Sequence, residues 1–213
     1  MNPMSHAKTI LSPKSYLAAF VFIVFMVAAA YGLNDREIIL PEMAAMAVGL
    51  WVYRDKQWLN QPDKIFILPS LTAVIGFCIN LMPISYLFKL VLVLCAILLV
   101  MRMFNYILPP ALATGFLPIV TQAYEISFLI SIFATSFILM LGVVLFKLNQ
   151  GVERKGNFDR RKIGVYASIT LIGFALAAIF KVEAMALIPP ITVVVYESLN
   201  MISVHDKFHR TLI

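Results

Sequence analysis

The chain has 213 residues, of which 62% are hydrophobic and only 13% charged, with a net charge of +6. Soluble domains carry about 25% charged residues, so a soluble globular protein is excluded and an all-α membrane protein is expected. The positive balance calls for no nucleic acid, because the topology of a membrane protein accounts for it.

A helix needs roughly 20 apolar residues to cross a bilayer. The first charge-poor run, 17–32, follows Lys8 and Lys14. No small-residue cleavage site leads from it into a soluble domain, so it reads as a retained span. The second run, 38–53, contains Pro41. The third, 65–101, holds a single charge, Lys89, and is too long for one span; Pro83 supplies the turn that divides it. The fourth, 106–146, carries only Glu125, and Thr121-Gln122-Ala123-Tyr124-Glu125 divides it. Runs at 163–180 and 184–201 complete a set of about eight transmembrane or half-membrane helices. Cys78 and Cys95 are isolated within apolar runs and read as small core residues, not as a disulfide or metal pair.

Basic residues collect on cytoplasmic flanks. With the N-terminus inside, fourteen of the seventeen basic residues fall on inner flanks, and only Arg36, Lys89 and Lys181 fall outside. That asymmetry predicts eight crossings of the cytoplasmic membrane with both termini inside. The basic loop 147–162 reads as a topology anchor.

A proline motif recurs through the chain: Leu40-Pro41-Glu42, Leu108-Pro109-Pro110 and Ile188-Pro189-Pro190. Proline fits the first turn of a helix, so the motif marks three helix starts. Pro109 lies 68 residues after Pro41. Three crossings per unit give two units, at about 17–82 and 86–146, with the second inverted relative to the first. Residues 1–150 then form the main membrane domain. Residues 151–213 are expected to form a partial third unit of two helices, either a shortened form of a longer duplicated protein, which is favoured, or a C-terminal addition.

These motifs resemble those of the HPP family of integral membrane proteins. Pro41-Glu42-Met43-Ala44-Ala45-Met46-Ala47 with Asn60-Gln61-Pro62 corresponds to the family's first motif and its Gln-Pro pair. Pro109-Pro110-Ala111-Leu112-Ala113-Thr114-Gly115 corresponds to the motif that names the family, with Leu108 in place of its histidine. The glycines expected after both prolines are also absent. The resemblance covers about residues 18–148 and implies passage of a small anion such as nitrite.

Candidate binding residues follow from the helix starts. Free N–H groups and a positive partial charge suit a helix N-terminus to anions, so Pro41, Pro109, Pro110, Pro189 and Pro190 mark candidate substrate sites. Thr114 and Gly115, one turn further on, extend the second. Arg102 and Asn105 stand before it, as an inner entrance or as topology residues. Glu42 is either a carboxylate favoured by the helix dipole or a proton or cation site. Glu197 lies seven residues after Pro190, on the same helix face. Ala44, Ala47, Ala111 and Gly115 recur at spacings that permit close helix contact without any substrate.

His6, His205 and His209 lie outside the runs. His205 and His209 have no third ligand beside them, so no metal, cofactor or catalytic residue is expected. The leading expectation is passage of a small solute, a small anion above all, by a channel or secondary transporter. The alternative is a non-transporting scaffold or accessory subunit. The partners are the lipid bilayer and the solute, and a homo-oligomer fits either reading.

Overall fold

The structure, a computed structural model, describes residues 13–32 and 40–152, together with 164, 165, 168–172, 175 and 179. The candidate third unit, with Pro189, Pro190 and Glu197, lies outside the described residues, as do His6, His205 and His209. Among the described residues every regular element is helical.

Four helices are long and apolar enough to cross a membrane: α1 (Pro13–Gly32), α4 (Pro62–Asn80), α5 (Tyr86–Met103) and α7 (Ile126–Leu145). At 18 to 20 residues each they reach about 27–30 Å, the thickness of a bilayer's hydrocarbon core. Two helices are shorter. The first comprises α2 (Pro41–Ala47) and its π-helical continuation Val48–Val52. The second is α6 (Pro109–Val120). Each short helix reaches about 18 Å. A single turn, α3 (Lys56–Leu59), was not expected from the sequence; Asp55 caps it by accepting the Gln57 N–H at 2.8 Å.

The short helices begin alike. Leu40 and Leu108 are extended, fully buried, and each is followed by proline at the first helical position. At both described copies of the motif, then, the one extended residue before the proline is covered by protein and the helix starts directly after it.

Helix ends share a second device. Arg54, Asn105, Gln122 and Lys147 all have positive φ, between 50° and 54°. Three of them form Schellman ends. After α5, Tyr106 N–H reaches Met101 O at 3.1 Å; after α6, Ala123 reaches Pro118 at 3.0 Å; after α7, Leu148 reaches Val143 at 3.0 Å. Tyr106 and Ala123, the residues turned back by two of these ends, are fully buried.

α4 is the hub, packed against α5, α6 and α7, while α2 lies against α1, α6 and α7. The two ends of the bundle can be told apart by polar ties. At one end the Tyr106 hydroxyl donates to the carbonyls of Gln57 and Trp58, both at 2.9 Å. The Lys64 ammonium lies 4.1 Å from the centre of the Phe104 ring at the same end. At the other end the Asn80 amide donates to Ala123 O at 3.0 Å and Lys89 Nζ donates to Asn80 O at 2.5 Å. α6 therefore starts at the end where α2 finishes.

One expectation is corrected. Cys78 and Cys95 are exposed on the outside of the bundle and are not core residues. Lipid chains are as apolar as a protein core, so an apolar helix does not reveal which of its faces is inside.

Candidate functional site

α6 is the most enclosed helix: every residue from Pro109 to Ile119 is buried. Thr114 and Gly115 lie at its middle and meet α4. Thr114 Oγ1 and Thr72 Oγ1 are 2.8 Å apart. Each also lies within hydrogen-bonding distance of a carbonyl of its own helix, Thr114 of Ala111 O at 3.0 Å and Thr72 of Leu68 O at 3.0 Å; with one proton apiece, one hydroxyl donates across the pair and the other donates to its own helix. One turn on, Gly76 faces Gly115 so closely that a Cβ on Gly76 would overlap the Gly115 carbonyl oxygen. A second hydroxyl pair, Ser70 and Ser136 at 3.4 Å, joins α4 to α7. Ser136 also donates to Ile132 O at 2.6 Å. These hydroxyls make a polar belt near mid-height of α4, α6 and α7, and their hydrogen bonds are made inside the bundle.

Pro69 and Pro118 sit inside α4 and α6. Each removes one N–H from its helix ladder, so the carbonyls of Ile65 and Thr114 lose their usual donor. Thr72, Gly76, Pro69 and Pro118 were not singled out as site residues from the sequence. A proline within a long apolar run and a glycine at its middle were the available signals.

The helix starts present few free N–H groups. The first two residues of α6 are prolines, which have none, and Ala111 N–H is bonded to Leu108 O at 2.9 Å. In α2, Pro41 has none, and both Met43 and Ala44 donate to Leu40 O, at 3.0 and 3.2 Å. The remaining donor, Glu42 N–H, is engaged by its own carboxylate. The double-proline motif favours starting a helix at a fixed place over cradling an anion with backbone donors.

Pro41 itself is exposed, whereas Pro109 and Pro110 are buried. Glu42 is buried, 8% exposed, and its Oε1 has no hydrogen-bond partner. Nine residues along, Trp51 is also buried with its indole N–H unpartnered. Phe22 and Phe146 meet the Trp51 ring edge-on at 5.5 and 6.4 Å, and Gly142 leaves room for it. α2 and its π-helical continuation therefore carry two unpartnered buried polar atoms, while the α4–α6 crossing is satisfied. Arg102 and Asn105 are exposed at the Tyr106 end.

Four long apolar helices and two half-length helices with buried starts define a multi-pass helical membrane protein. Comparison of sequences makes the assignment more specific. A family model described as "HPP, transmembrane region" matches residues 4–155, and the chain belongs to that family. No curated protein and no solved structure matches the chain.

Proposed function

We propose that this HPP-family protein passes a small solute across the cytoplasmic membrane, with the basic 147–162 loop and both termini inside. The observation that carries the reading is the pair of short, proline-started helices. Leu40 and Leu108 are both buried and extended, and α6 starts at the end of the bundle where α2 finishes. Broken helices entering from opposite sides are how many transporters place a solute site near the bilayer midplane. Their relation supports an inverted repeat of the units at about 17–82 and 86–146.

A small anion such as nitrite is the first candidate. With few backbone N–H groups free at the helix starts, other donors must hold it, and the Trp51 indole N–H is an unpartnered one on the π-helical continuation of α2. The scarcity of polar lining argues for a small monovalent solute over a large polar one. The test is a flux screen in liposomes across nitrite, nitrate, formate and chloride. Flux of any of them, lost in a Trp51→Phe variant that remains folded, supports the reading.

The second reading, a non-transporting scaffold, draws on the α4–α6 crossing. Its hydroxyls are bonded to one another, and its glycines bring the backbones together with no gap. Absence of flux for every solute in folded, inserted protein supports the scaffold.

A further inference from the structure

We infer that Glu42 is a proton site, a carboxyl group that takes up and releases a proton that accompanies the solute. The inference deepens the pathway proposed above and rests on it for its role. Glu42 lies in the first turn of the helix Pro41–Val52, and its carboxylate is buried with one oxygen unpartnered. An acid inside a membrane segment is costly and is retained for a use. An ionised carboxylate out of water needs a positive partner close by.

The neighbouring elements supply none among the described residues. α2 packs against α1, α6, α7 and its own π-helical continuation. α6, α7 and the π-helical turn carry no acidic, basic or tyrosine side chain. α1 carries Lys14, Tyr16 and Tyr31. Tyr16 is 47% exposed and Tyr31 90%, so neither is turned inward. Lys14 precedes Phe22 by about 12 Å along the helix, and Phe22 packs on Trp51 at the far end of the α2 segment. Lys64 pairs with Asp63 at the Tyr106 end. Among the described residues nothing balances a negative charge at Glu42, and the neutral acid, which holds the proton itself, needs no such partner. Met43, Ala44, Ala45 and Met46 offer no second side-chain oxygen, so the lining suits a proton and not a metal cation.

A hydrophobic carbodiimide tests this on the full chain in liposomes. The carboxylic acid adds across the reagent's C=N bond and the adduct rearranges to an N-acylurea, so both reactants are retained in the product mass. Mass spectrometry near neutral pH should find the label on Glu42 and not on exposed Glu125, with loss of the label in Glu42→Gln. Raising the pH should remove the label, and adding sodium at fixed pH should leave it. Glu42 labelled no more than Glu125, labelled with no response to pH, or losing its label to sodium at fixed pH, overturns the inference. The main readout uses the wild-type protein, so it does not depend on the folding of the variant. It is also independent of flux. pH-dependent labelling but no solute flux defeats the pathway and leaves the proton site; solute flux with Glu42 unlabelled defeats the proton site alone.

Discussion

The hydroxyls of Thr72 and Thr114 meet at 2.8 Å across the α4–α6 crossing, forty-two positions apart in the chain. Each hydroxyl also has a carbonyl of its own helix within hydrogen-bonding distance, to which it can donate when its partner is gone. Removing one therefore leaves the other with a partner, so the expected cost is moderate. Thr114→Val should destabilise the protein by about 0.6–1.7 kcal/mol, the range for such bonds between membrane helices. The double variant Thr72→Val/Thr114→Val should cost less than the sum of the singles, because both remove the same bond. Unfolding in mixed micelles by SDS titration measures all three.

The glycines beside this pair should behave differently from each other. A Cβ on Gly76 meets the Gly115 backbone, which cannot move without parting the helices. A Cβ on Gly115 meets first the Cδ1 of Ile97, the far end of a flexible side chain, and then the Thr72 carbonyl. Gly76→Ala is expected to cost about 3 kcal/mol or more and Gly115→Ala about 1–3 kcal/mol. Ile97→Val should recover part of the loss in Gly115→Ala and none in Gly76→Ala. Equal losses in the two glycine variants would show that the crossing is not backbone-limited at Gly76.

The long helices and the proline starts were legible because length and punctuation survive in a membrane sequence. Pro83 and Thr121–Glu125 divided two over-long runs at the turns the structure has. The inward faces were not legible. α4 and α5 are apolar on both sides, so Cys78 and Cys95 read as core while facing outward. The site was half legible. Thr114 and Gly115 were named, but Thr72 and Gly76, their partners from 42 and 39 residues away, were not. The missing information was the depth and rotation of α4 against α6, which apolar periodicity does not encode when lipid replaces water. α3 was missed because one turn of four residues carries no periodic signal.

The left-handed residues at helix ends offer a gain. Gln122 has φ 54°, and its side chain is exposed beyond α6. A residue with a Cβ costs about 1–2 kcal/mol in this region, and glycine avoids that cost. Glycine is also freer in the unfolded chain, which offsets part of the gain. Gln122→Gly should therefore stabilise by about 0.5–1 kcal/mol in the same unfolding assay. Gln122→Val, β-branched and unsuited to positive φ, should destabilise.

Tyr106 ties the start of α6 to α3 and sets a pH dependence. Its phenol lies between the spans, and burial pushes it well above its ordinary value of about 10, with Asp55 and Asp63 acting in the same direction. The fold therefore favours the neutral phenol, which donates to Gln57 O and Trp58 O. This contribution is fully present below about pH 10 and is lost as the pH rises above it, where the unfolded phenol ionises and the folded one does not. Tyr106→Phe should cost about 1–3 kcal/mol at neutral pH, since two buried carbonyls lose their donor. The gap between wild type and variant should then narrow above about pH 10. A gap that stays constant with pH would mean that Tyr106 ionises as readily in the folded protein as in the unfolded chain.

Sidedness provides the last prediction. Arg102 stands at the end of the bundle fixed by Tyr106 with Gln57 and Trp58, and Gln122 at the end fixed by Asn80 with Ala123. α4 runs between the two ties and is long enough to span the bilayer. Both residues are exposed, so a cysteine at either can react with a membrane-impermeant maleimide. The native Cys78 and Cys95 face outward on apolar helices, and replacing both with serine or alanine should leave the fold intact. In that background, Arg102→Cys and Gln122→Cys should label from opposite faces. Basic-residue asymmetry puts Arg102 on the cytoplasmic side, so intact cells should label Gln122→Cys and spare Arg102→Cys until they are permeabilised. Labelling of both in intact cells would break the single crossing between these positions, and with it the placement of α6 as a helix that starts inside the bundle and runs to the outer face.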